Sequence, residues 1–138
     1  MLLKLVDFGL VILIWMTQLI VYPSFQYYSV EKLLEWHSKY TTQISIIVMP
    51  LMLAQVALHG YGLVNSFSYW RLFTVVAILL AWVNTFGFAV PLHNQIAAGV
   101  DTHEAVSKLI NVNWYRTVLW SLVFLLGIIG IKSSSQFY

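Results

Sequence analysis

Four long apolar runs dominate this chain and leave it few ways to fold. They cover about residues 5–23, 41–63, 70–91 and 114–131. Each approaches the roughly 20 apolar residues that a helix needs to cross the ~30 Å hydrocarbon core of a bilayer. In that solvent the backbone must satisfy its own N–H and C=O groups, so a spanning segment is either a helix or a strand of a closed barrel. The runs are too long for barrel strands and lack alternation with period two. The expected fold is therefore all-α: a polytopic membrane protein, one domain over residues 1–138, built as a bundle of four transmembrane helices. The composition agrees, with 60% hydrophobic and 9% charged residues, where a soluble domain carries about 25% charged.

Aromatic residues bracket the runs as a membrane–water belt does. Tyr22, Phe25, Tyr27 and Tyr28 follow the first; Tyr61, Tyr69 and Trp70 lie around the second turn; Trp114 and Tyr115 open the fourth. Two connections read as more than loops. In "SVEKLLEWHSKY", Val30, Leu33, Leu34 and His37 fall at helical spacing, while Glu31, Lys32, Glu35, Ser38 and Lys39 do not. In "DTHEAVSKLINVN", Val106, Leu109 and Asn113 form a stripe, and Asp101 with Glu104 three residues later reads as a capped start. Two short amphipathic helices lying at, or feeding into, the membrane surface are expected, at about 29–40 and 102–113. "NSFSYW" reads as a tight turn and the tail "KSSSQFY" as loose. No internal repeat stands out.

An even number of spans puts both termini on one side. Lys4, Arg71 and Lys132 on that side face Lys32, Lys39, Lys108 and Arg116 on the other, so the excess of Lys and Arg does not fix the orientation. The longer connections argue for termini in the cytoplasm. The first run lacks an A-x-A-like cleavage site and is expected to be retained. The chain has no cysteine, which excludes disulfides, iron–sulfur clusters, thiolate metal sites and cysteine catalysis. Its formal net charge of +2 is scattered, which argues against a nucleic-acid partner.

Polar residues inside a bilayer are costly and face the bundle interior. Here they fall into stripes. His37, Thr41, Ser45, Val48, Met52, Gln55 and His59 step along one face of the second helix, over about 33 Å. Trp82, Thr85, Ala89 and His93 share a face of the third; Asp7, Val11, Ile14, Gln18 and Tyr22 share one of the first; Asn113, Thr117, Trp120 and Phe124 share one of the fourth. At the membrane face opposite the termini these stripes bring Tyr22, His37, Tyr40, Thr41, His93, Asn94, Asn113 and Arg116 to one level. A ligand pocket is expected there. Thr41, Ser45, Thr85, Thr117 and Gln55 also suit plain helix–helix hydrogen bonding. Asp7 lies near enough to the amino terminus to be solvated, and His59 reads as an interfacial residue. Neutral imidazoles at His37 and His93 suit a metal, a haem iron or a proton relay, although two histidines make no complete tetrahedral site and no carboxylate lies on their stripes. Arg116 suits either a lipid phosphate or the acidic head of a ligand.

The pieces "YPSF", "WHSKYTTQISIIVMPLMLAQ", "WVNTFGFAVPLHNQIAAGVD" and "LINVNWYRTVLW", in this order, resemble small bacterial four-span membrane proteins of the DUF1772 (anthrone-oxygenase-like) group. The resemblance covers nearly the whole chain. It implies residence in a bacterial inner membrane. Residue by residue it implies a candidate set of Tyr22, Pro23, His37, Tyr40, Thr41, Pro50, Gln55, Trp82, Thr85, Pro91, His93, Asn113, Trp114, Arg116 and Thr117. Fungal members of the group oxidise anthrones to anthraquinones and resemble this chain in the "VPL" turn and the N-W-x-R-T-like segment. They tend to have Asn where this chain has His93, so their activity does not carry over at that position.

Three functions fit these observations. The first is a pocket for a small apolar or amphiphilic molecule, haem or metal, with oxidoreductase or oxygenase chemistry in view; Tyr22, Tyr40, Thr41, Gln55, Trp82, Thr85, Asn94, Asn113, Arg116 and Thr117 would line it, and His37 and His93 would be the ligands to iron or metal. The second is a non-catalytic subunit of a larger membrane complex or homo-oligomer. The third is transport of a proton or small solute along the stripe from His37 to His59. Membrane lipid is a partner under all three, and the sequence leaves open whether the protein is an enzyme.

Overall fold

A computed structural model describes residues 1–134, with side chains through residue 129. Within it every element is helical. Four helices are long and apolar enough to cross a membrane: α1 (Leu2–Tyr27), α2 (Val30–Asn65), α3 (Tyr69–Ala97) and α4 (Thr102–Ser134). They are the mark of an integral membrane protein. α1 packs on α2 and α4, and α3 packs on the same two. The helices thus run up, down, up, down around a square, with α1 and α3 on one diagonal.

The surface helices expected at 29–40 and 102–113 are not separate elements. α2 is one helix of 36 residues and α4 one of 33, so they measure roughly 54 and 50 Å at 1.5 Å per residue. Nothing between Tyr40 and Thr41, or between Asn113 and Trp114, removes an N–H or frees a backbone dihedral. Adding residues to an existing helix costs far less than nucleating a new one, so each amphipathic segment prolongs its span. The helix does start just after Asp101, whose carbonyl accepts from Ala105 N–H at 2.9 Å, but neither Asp101 nor Glu104 makes a side-chain cap bond among the described residues. Asp101 has φ of 44°, a left-handed turn position, and Glu104 pairs with Lys108 at 2.7 Å.

The connections are short. Gly99, at φ of 70°, closes α3 with Val100 N–H returning 3.2 Å to the Gln95 carbonyl, a conformation in which a β-carbon is strained. Between α2 and α3, Ser68 accepts from Arg71 N–H, while the Arg71 side chain caps the Gly62 and Ser66 carbonyls, making the expected tight turn. Residues after Ser134, which include most of the tail expected to be loose, lie outside the described part.

Two spans are interrupted in the same way. α1 widens into a π-type turn at Thr17–Val21 and α3 does so at Thr85–Ala89. Each turn starts with Thr and is followed by proline at the second residue beyond it: "TQLIVYP" and "TFGFAVP". The prolines lack the N–H that would close a normal helical turn. The two threonine hydroxyls bond back to the carbonyls of Leu13 and Ala81 at 2.8 Å. A π-turn holds one residue more than an α-turn, so every side chain beyond it is re-aimed. That re-aiming brings Tyr22 of α1 and His93 of α3 together across the diagonal.

The core lies in layers. The protruding ends of α2 and α4 pack Leu33, Ala105, Val106 and Leu109 against Phe25 and Ile96, forming an apolar cap over one end of the bundle. Nearer the middle, Leu10, Ile14, Met52, Ala81 and Trp120 fill a second apolar layer. The main polar cluster is held between the two.

Candidate functional site

Tyr22 is the centre of that cluster. Arg116 Nη2 donates to Tyr22 Oη across 3.0 Å. Tyr22 Oη lies 2.9 Å from His93 Nε2, and His93 Nδ1 lies 2.8 Å from His37 Nε2. A residue from each of the four helices is thereby joined in one chain. A guanidinium only donates and a phenol has one proton, so the arrangement that uses every group runs one way. Arg116 donates to Tyr22, Tyr22 to His93, and His93 to His37. Proton placement here follows from donor counting. His37 is then left with an Nδ1–H that is buried and has no partner.

A second row holds Arg116 from behind. Its Nη2 also donates to Asn113 Oδ1, Asn113 Nδ2 donates to Gln18 Oε1 at 2.9 Å, and Gln18 Nε2 reaches the Ile110 carbonyl at 3.4 Å. Thr117 Oγ1 donates to the Asn113 carbonyl. All of Arg116's partners are neutral. Ion pairs among the described residues join Lys39 to Glu35 and Lys108 to Glu104, His59 Nε2 lies 3.0 Å from the Asp7 carboxylate, and none of these contacts includes Arg116. Its side chain is only 7% exposed, its Nε is buried without a partner, and its Nη1 makes no hydrogen bond among the described residues. A charged side chain buried in a membrane bundle is costly unless its charge is met. Two hydrogen bonds to neutral groups, at roughly 0.6–2 kcal/mol each, offset only part of what a buried charge needs.

Arg116 lines a slot of about 290 Å³ between α2 and α3. At the end of the bundle opposite the termini the walls are Tyr22, His37, Tyr40, Thr41, His93, Asn94 and Arg116; toward the middle they are Leu13, Ile14, Ile44, Val48, Met49, Met52, Phe86 and Trp120. Ser45, Phe86, Val90 and Asn94 on its rim are exposed. The slot therefore opens sideways between α2 and α3, and the apolar cap covers its outer end.

The residues singled out in the sequence separate into three groups. Tyr22, His37, Tyr40, Thr41, Thr85, His93, Asn94 and Arg116 line the slot. Asn113 and Thr117 are fully buried behind it and act on it through Arg116. Gln55 and Trp82 lie elsewhere. Trp82 packs beside Phe86 with ring centroids 5.5 Å apart and buries an unpartnered Nε1. Gln55 belongs to a second cluster: its Nε2 donates to Asp7 Oδ1 at 2.8 Å, and His59 Nε2 lies 3.0 Å from Asp7 Oδ2. Asp7 is thus buried, not solvated, and His59 is its partner, not a free interfacial residue. The apolar layer around Leu10 and Met52 separates this cluster from the slot. Gln18 and Thr17 complete the site without having been selected, although Gln18 stood on the right stripe.

The two histidines do not make a metal or haem centre as they stand. Two imidazoles on one zinc bring their nitrogens to roughly 2.0–2.1 Å of the same ion. Here the facing nitrogens are bonded to each other, the ring centroids are 5.0 Å apart, and His93's other nitrogen is taken by Tyr22. Only His37 Nδ1 is left, and no group of three His, Cys, Asp or Glu side chains suited to a metal occurs among the described residues.

Comparison of the chain with family models, with curated proteins and with solved structures finds no match in any of the three.

Proposed function

We propose that this protein binds a small amphiphilic molecule taken from the bilayer. The molecule would enter sideways between α2 and α3 and lie with its polar head at Arg116, Tyr22 and His93. The observation that carries this reading is the polarity of the slot. Its polar end lies toward one membrane face and its apolar end toward the middle, which is how a lipid-like molecule lies in one leaflet. The apolar cap over the polar end supports the lateral route. Volume supports it too, since ligand pockets start at about 300 Å³. In this reading the chain is a bacterial inner-membrane relative of the anthrone-oxygenase-like group, with its termini in the cytoplasm. The Tyr22–His93–His37 part of the hydrogen-bonded chain gives the head a set of groups able to pass a proton, which is what a reaction at the head would use.

The test is saturable binding of a fluorescent single-chain amphiphile to the protein in phosphatidylcholine nanodiscs. Ser45→Trp puts a large ring on the exposed rim, so it should weaken binding by about tenfold or more and leave the melting temperature unchanged. Binding that is non-saturable, or indifferent to Ser45→Trp, would sink the reading.

A further inference from the structure

Resting on that reading, we propose that the head of the bound molecule is a monoanion, a carboxylate on a single apolar chain, paired with the Arg116 guanidinium. The argument is one of charge and donor count. Arg116 is the one Lys or Arg side chain among the slot residues, and its partners Tyr22 and Asn113 are neutral. A buried charge is stable when an opposite charge meets it and its remaining hydrogen bonds are made. One cation calls for one negative charge. A phosphate monoester, with close to two, would leave an excess charge in the same low-dielectric space.

Donor geometry narrows the head further. Nη2 is already used by Tyr22 and Asn113, while Nε and Nη1 have no partner among the described residues. Arginine meets a carboxylate through two parallel N–H···O bonds, and small side-chain movement would turn an unused N–H toward the slot. The Tyr22 proton goes to His93 and the His93 proton to His37, so the free donors for both head oxygens are those of Arg116 itself. The small volume of the slot suits one chain and not the two of a diacyl lipid.

The experiment compares dodecanoate, dodecanol and dodecyl phosphate at equal membrane mole fraction, as competitors of the fluorescent amphiphile, with the full chain in phosphatidylcholine nanodiscs. Dodecanoate should compete at least about tenfold better than dodecanol. Arg116→Gln should erase that preference and Arg116→Lys should keep part of it, which separates loss of charge from loss of fold. The acid-to-alcohol ratio of the unaltered protein is read without any variant. Equal competition by acid and alcohol would overturn the monoanion and leave amphiphile binding standing. A preference for dodecyl phosphate would overturn the carboxylate. Failure of all three to compete would remove both this inference and the reading beneath it.

Discussion

His37 Nε2 lies 2.8 Å from His93 Nδ1, so each ring gives the other a nitrogen that a cofactor would need. Together with the Tyr22 bond to His93 Nε2, this makes the pair part of a hydrogen-bonded chain and not a pair of free ligands. The consequence is spectroscopic. Titration of the protein with haem should give the same Soret band for the unaltered chain, His37→Ala and His93→Ala. A red-shifted band of bis-imidazole type that disappears in both variants would show that the rings part to take iron.

Tyr22 holds the chain together, accepting from Arg116 and donating to His93. Tyr22→Phe keeps the ring that packs on Phe25 with centroids 5.8 Å apart and removes only the hydroxyl. It leaves a buried donor and a buried acceptor without their partner, which costs about 1–3 kcal/mol. Unfolding in mixed micelles should show that loss, together with weaker amphiphile binding. Stability equal to the unaltered protein would mean that the hydroxyl is not shared between Arg116 and His93.

The general form of the fold was open to a reader of the sequence because it depends on run length and periodicity alone. Depth along the spans also placed Tyr22, His37, His93 and Arg116 on one level, since height along a helix follows from residue number. What the stripes missed has physical causes. Gln55 and Asp7 were assigned by depth along single helices, yet their meeting depends on how α1 and α2 slide against each other, which spacing within one helix does not record. The phase of Tyr22 and His93 depends on the π-turns, and the paired "T-x5-P" pattern was the signal for them. The extension of α2 and α4 beyond the membrane was hidden because an amphipathic segment looks the same whether it lies on a bilayer or prolongs a span.

At the opposite end, Asp7 meets His59 and Gln55 with its carboxylate buried. His59→Leu removes a charge-assisted partner and leaves the carboxylate half-satisfied. The expected cost is about 3–5 kcal/mol, as for other broken buried pairs. Asp7→Asn retains an acceptor for Gln55 and should cost clearly less. The two variants compared by unfolding in mixed micelles decide the matter; equal and small effects would mean that Asp7 is hydrated.

The turn between α3 and α4 carries two left-handed residues, Gly99 and Asp101. Gly99→Ala should destabilise by about 1–2 kcal/mol, because a β-carbon is crowded in that conformation even though the space around it is open to Leu34 at 3.6 Å. Asp101→Gly should stabilise by a few tenths to about 1 kcal/mol. Thermal unfolding of the two variants should move in opposite directions, and movement in the same direction would contradict the assigned turn.

The central claim is that an amphiphile lies in the slot between α2 and α3 with its head at Arg116. The most direct measurement is photo-crosslinking with a single-chain carboxylate that carries its reactive group near the chain end, followed by peptide mapping. The account predicts adducts on Ile44, Val48, Met49, Met52 and Phe86, competed away by unlabelled dodecanoate. Adducts spread over the outward faces of the bundle, at Leu19, Ile20, Leu79 and Leu80, and insensitive to competitor, would contradict it.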